Sequence, residues 1–219
     1  MTEPWLPALV FMLGTAFGQA AVAYAAWICR IRQNVPDARF PWQASMAASL
    51  ANGAGWLAAW LLCPSVQEAA DLCLMVSAAV TLTLIDAKTR LIPNELVAAL
   101  LALSAGFAFL EGGLAEFPGR LVGLLVALTL FLVAMLLAGP GKVGGGDVKL
   151  AAAVGFAAGF PGVLWAVLAM ALSAVLTGAA GMLTKKMGYK TPMPFAGFIA
   201  AGLVAARILD ITGAIALFG

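Results

Sequence analysis

Apolar runs of about twenty residues follow one another from Leu6 to the end of the chain, and about twenty is the length a membrane-spanning helix needs. Eight such runs are predicted, at residues 6–29, 44–62, 69–85, 94–110, 120–138, 147–160, 162–183 and 195–217. The composition agrees: 63% of the 219 residues are hydrophobic, 10% are charged, and mean hydropathy is +1.03. A soluble domain of this size has no core large enough to hide that much apolar surface. The expected fold class is therefore all-α, a polytopic membrane helix bundle of about eight spans. The sixth run is short. It is kept as a crossing because Lys185, Lys186 and Lys190 would otherwise fall on the wrong side of the charge rule below.

Lysine and arginine collect in cytoplasmic loops of membrane proteins. Arg30, Arg32 and Arg39 follow the first run, Lys88 and Arg90 the third, Lys142 and Lys149 the fifth, and Lys185, Lys186 and Lys190 the seventh. The other face holds Glu3, Glu68, Asp71, Glu111 and Glu116, and among basic residues Arg120 alone. Both termini are thus expected outside. "MTEPWLPALVFMLG" has no basic start and does not read as a cleaved signal. Gly14/Gly18, Gly119/Gly123 and Gly155/Gly159 are small-residue pairs that let helices pack closely. Trp5, Trp42, Trp56, Trp60 and Trp165 fall mostly near proposed interfaces, as an aromatic belt does.

Several function classes drop out early. The chain has no histidine, which removes His-based zinc proteolysis and Ser-His or Cys-His catalysis. Cys29, Cys63 and Cys73 form no CxxC pair; free thiols are expected, and no metal or cofactor site is predicted. A net charge of +2 gives no footprint for nucleic acid. Arg207 and Asp210 lie three apart in the last run and are expected to neutralise one another.

Two aspartates stand at cytoplasmic ends of runs: Asp86 in "TLTLIDAKTRLIPNEL" and Asp147 in "VGGGDVKL". Two passes of the chain return Asp147 to the face that Asp86 occupies. Two carboxylates at close range do not both ionise readily, so a pair offers an acid and a base together. Such a pair can activate water and protonate a developing oxyanion without a metal or a covalent intermediate. Gly144, Gly145 and Gly146 would let a substrate backbone approach Asp147 and permit a hinge. Each aspartate alone has an ordinary reading too: Asp147 as a helix cap, Asp86 as a solvated neighbour of Lys88 and Arg90. Lys149 suits snorkelling to headgroups, Asn94 suits capping of the fourth run, and Pro192 and Pro194 suit a loop stop before the eighth or the shaping of a groove.

These residues carry a resemblance. Asp86 followed by Ile92, Pro93 and Asn94, then Gly144, Gly146, Asp147, Lys149 and Leu150, then "KTPMPFAGFIAAG" from Lys190 to Gly202, together resemble the type IV prepilin peptidases of the Gly-x-Gly-Asp class of aspartyl proteases. The resemblance covers about residues 70–202. It implies residues 1–68 as N-terminal membrane helices and 69–219 as an aspartyl peptidase core. It implies catalytic residues Asp86 and Asp147, with Gly144, Gly145, Gly146, Lys149, Pro93, Asn94 and Pro194 shaping the site or binding substrate. It further implies a bacterial inner-membrane endopeptidase, serving pilus assembly or protein secretion, that removes the short basic leader of a prepilin or pseudopilin at the cytoplasmic face. Lipids and a second copy of the chain are the other partners left open. Many members also N-methylate the new terminus and carry two CxxC pairs for zinc between the first two spans; residues 30–43 here are short and lack cysteine. The rival readings are an inactive pilin-assembly scaffold and an ion-coupled transporter using Asp86, Asp147, Arg207 and Asp210.

Overall fold

Proline, serine and glycine cut the apolar runs into helices. The computed structural model describes residues 3–32, 35, 37–139, 143–184 and 194–213. Among these it contains eight α-helices and no strand: α1 (Leu6–Ile31), α2 (Trp42–Leu62), α3 (Val66–Thr89), α4 (Asn94–Gly112), α5 (Phe117–Ala138), α6 (Gly145–Ala158), α7 (Gly162–Leu183) and α8 (Ala196–Ile211). Pro7 and Pro118 sit in the first turns of α1 and α5, where a missing N–H costs nothing. Ser65 caps α3 by accepting from the Glu68 N–H at 3.2 Å. Gly113, Gly139 and Gly159 follow α4, α5 and α6 at φ of 64°, 87° and 65°, a region that side-chain-bearing residues rarely enter.

Four stretches are long and apolar enough to cross a membrane: Leu6–Ile31, Val66–Thr89, Asn94–Ala138, which holds both α4 and α5, and Gly162–Leu183. Eight helices fall where about eight spans were expected, but among the described residues only these four stretches meet the length and hydropathy of a membrane span. α2 carries Gln43, Ser45, Ser49 and Asn52, and α6 and α8 have 14 and 16 residues. At 1.5 Å per residue, α6 is about 21 Å long against a hydrocarbon layer of about 30 Å.

The chain forms two compact units, Met1–Leu91 with Ile208–Gly219, and Ile92–Arg207. This packing boundary follows α3, whereas the functional boundary expected at residues 68/69 falls in its first turn. In the first unit α1 and α2 meet through small residues. A Cβ on Gly18 would lie 2.6 Å from the Ser49 Cα, and one on Gly14 would lie 2.7 Å from the Trp56 Cβ. Asn52 Nδ2 donates to the Gly14 carbonyl at 2.7 Å. Trp56 is no belt residue: its Nε1 donates to the Cys73 carbonyl and to Ser77 Oγ, each at 3.0 Å, tying α2 to α3. None of the three cysteines is in a disulfide.

In the second unit α5 lies against α6 through Gly123 and Gly155, each facing the other's carbonyl oxygen where a Cβ would be. Gly119 is not part of this tight contact, and Gly159 belongs to the turn that ends α6. Gly202 of α8 is packed as closely on the Ala166 carbonyl of α7. A Gly123→Ala variant is expected to lose about 1–3 kcal/mol, because the obstacle is backbone and no rotamer relieves it. Its unfolding midpoint in detergent should fall below that of Gly106→Ala, whose added Cβ meets nothing within 4 Å.

Candidate active site

Asp86 lies in the last turn of α3 and is 4% exposed. The sequence places it at a wet helix end; the helix instead runs on to Thr89, so the carboxylate is buried. Its backbone carbonyl accepts from the Arg90 N–H at 2.8 Å, and Arg90 closes the helix in the left-handed region at φ 55°. Lys88 Nζ donates to the Arg39 carbonyl at 3.2 Å and stands 5.9 Å over the Phe40 ring. The short segment before α2 is thereby fastened to the end of α3. Asp71, read from sequence as an acid on the outer face, is also buried, at 1% exposure.

Asp147 is the third residue of α6, and its Oδ2 accepts from the Gly144 N–H at 3.3 Å. An acid here complements the positive end of the helix and satisfies a donor that the first turn leaves open. The three glycines before it are not equivalent. None has a positive φ, so no left-handed backbone requires glycine at these positions. A Cβ on Gly144 would lie 3.1 Å from Asp147 Oδ2, and one on Gly146 would lie 3.3 Å from the Ile92 Cβ. Gly145 faces open space. Gly145→Ala is therefore expected to keep activity within about twofold of wild type. Gly144→Ala and Gly146→Ala should each lower it by about tenfold, by displacing the carboxylate or the turn that bears it.

Ile92 and Gly146 bring together, within the second unit, two motifs far apart in sequence. Pro93 is buried and serves as the N-cap residue of α4. Asn94 does not cap the helix. It is the first helical residue, and its Oδ1 accepts from Lys149 Nζ at 3.3 Å. Lys149 is exposed, as snorkelling requires, yet its ammonium is engaged. Pro194 stands just before α8, beside Phe195, whose ring meets those of Phe131 and Phe198 at 6.4 and 5.9 Å. Lys142, Lys185, Lys186, Lys190 and Pro192 lie outside the described residues.

A charge cluster absent from the sequence reading occupies the other end of α4. Glu111 Oε2 pairs with Arg120 at 2.7 Å, and Glu111 Oε1 pairs with Arg207 at 3.3 Å. Arg120 also donates to the Ala157 carbonyl at 3.1 Å. The pairing of Arg207 with Asp210 expected from their spacing is thus not the whole account of Arg207; Asp210 itself is exposed. The single basic residue expected on the outer face is a partner of an acid there. The available signal was that Glu111 and Arg120 flank one short turn.

The sequence matches the type IV leader peptidase family over residues 73–182, half of the chain, a stretch that includes both Asp86 and Asp147. The chain belongs to that family. It is 34% identical over 133 residues to a prepilin leader peptidase/N-methyltransferase of Bacillus subtilis (strain 168), covering 61% of this chain and 53% of that protein. Proteins of the same name from Burkholderia pseudomallei strains 1026b and K96243 are 30% identical over 180 residues, covering 80% of this chain and 56% of theirs. The chain spans about half the length of these curated relatives. No solved structure matches it significantly.

Proposed function

We propose that this protein is an aspartyl endopeptidase of the membrane that removes the leader peptide from a prepilin or pseudopilin at the cytoplasmic face. The observation that carries the reading is the family match spanning both Asp86 and Asp147. One aspartate, ionised, takes a proton from water. The other, protonated, gives its proton to the carbonyl oxygen under attack, and the pair then passes a proton to the leaving amine. Asp86 is buried and Asp147 is half-buried.

In this reading the chain makes about eight passes with the basic loops inside, which would bring both acids to the same face. Within the second unit, the first turns of α4 and α6 are joined by Lys149 and Asn94. The substrate's basic leader would stay in the cytoplasm while its apolar helix lies in the bilayer. The scissile peptide must be extended to be cut, since helical amides are already satisfied.

The test is co-expression of the full chain with a prepilin encoded in the same genome. Mass spectrometry would follow loss of the leader and the mass of the new N-terminus. Leader loss supports the peptidase, and an added methyl group would extend the reading to N-methylation. Normal insertion with no cleavage of any prepilin would favour the scaffold or transporter readings.

A further inference from the structure

We propose that Lys149 and Asn94 form a clasp between α6 and α4 that positions Asp147 for catalysis. The inference rests on the peptidase reading and assigns a role within it.

The first turn of α6 is intrinsically weak. It begins with Gly145 and Gly146 after Gly144, and each glycine in a helix costs about 1 kcal/mol relative to alanine. Asp147 therefore stands on backbone with little preference of its own for the helical state. The bond from Asp147 Oδ2 to the Gly144 N–H is local to that turn and cannot fix it against the rest of the fold. Two contacts reach outward to α4 and the residues before it. One is the Ile92 side chain, packed against Gly146. The other is the hydrogen bond from Lys149 Nζ to Asn94 Oδ1 at 3.3 Å. Val148 and Leu150 on the same turn are buried, while Lys149 at its polar edge reaches Asn94.

Helical geometry separates this role from a direct electrostatic one. Residues two apart differ by about 200° around a helix, so Lys149 and Asp147 point to different sides of α6. The ammonium goes to α4. A lysine that acted on the carboxylate's charge or on substrate would not need Asn94; a clasp needs both members.

The test is steady-state cleavage of a purified prepilin by the full chain in detergent. Lys149→Met keeps the apolar stem and removes the donor. Asn94→Ala removes the acceptor. Each is expected to lower kcat by about tenfold at nearly unchanged KM, and the double variant should lose no more than either single one. Lys149→Arg and Asn94→Asp, which retain donor and acceptor, should keep most of the activity. Additive losses would overturn the clasp, as would a change confined to KM, an unaffected rate, or equal loss in the conservative variants. Should Lys149→Met fail to accumulate, Asn94→Ala against Asn94→Asp decides alone: loss in the first and retention in the second supports the clasp, and any other pattern overturns it. Asp147→Asn run alongside separates the two readings. If it cleaves like wild type, the peptidase assignment of Asp147 fails; if it is inactive while the clasp variants behave additively, only the clasp fails.

Discussion

Asp147→Asn and Asp86→Asn are each expected to slow leader cleavage by at least about 10²–10⁴-fold, the range assigned to loss of a general acid or base. An amide cannot take a proton from water or deliver one to an oxyanion at neutral pH. The substitution is otherwise nearly isosteric. At residue 147 the amide oxygen can still accept from the Gly144 N–H, so the first turn of α6 keeps its capping bond. At residue 86 the backbone bond to Arg90 is untouched by the side chain. Both variants should therefore insert, accumulate and unfold like wild type, which makes the rate a readout of chemistry. The double variant should be little slower than either single one, because one carboxylate without its partner already lacks half of the proton exchange. Quantifying uncleaved and cleaved prepilin by mass in matched membranes checks this. Cleavage by either variant at the wild-type rate would remove that aspartate from the mechanism.

The helices were legible because apolar length is a strong signal. α7 occupies the predicted residues 162–183, and α4 and α5 depart from 94–110 and 120–138 by three residues or fewer at any end. α8 stops at Ile211, short of the predicted 217, and α3, predicted at 69–85, is longer at both ends, at Val66–Thr89. Hydropathy clips a helix where its ends carry Gln67, Glu68, Asp86, Lys88 and Thr89, although such ends remain helical. That clipping is why hydropathy allows a solvated reading of Asp86, which is buried. Local chemistry was legible in part. "GGGD" was recognised, but spacing cannot tell which glycine a neighbour crowds. Contacts between distant segments were not legible at all. Nothing in the sequence couples Lys149 to Asn94, 55 positions away, or Arg207 to Glu111, 96 positions away. Such pairs follow from the helix packing, which a single chain of residues does not encode in any short window.

Glu111→Gln is expected to be the most destabilising single change in the second unit outside the close-packed glycines, by about 3–5 kcal/mol. Glu111 lies between two guanidinium groups whose side chains are only 7% and 8% exposed. Neutralising it removes the charge that Arg120 and Arg207 share here, and weakening the pairing of a buried cation costs more than an intact pair contributes. The consequence is concentrated at one end of the unit because the cluster is a crossroads. It joins the end of α4 to the start of α5 and to α8, and through the Ala157 carbonyl it reaches the end of α6. A lower unfolding midpoint in detergent would register the loss. Glu111→Asp should recover part of it, since the charge returns at a shorter reach. Arg120→Met in the Glu111→Gln background should recover more, because it removes a buried cation whose pairing with Glu111 has been lost. Cleavage measured well below the new midpoint should stay close to wild type, since no member of the cluster is assigned a part in the proton exchange. A stability unchanged by Glu111→Gln would mean that solvent or headgroups neutralise the arginines, and the cluster would lose its role in holding these helices together.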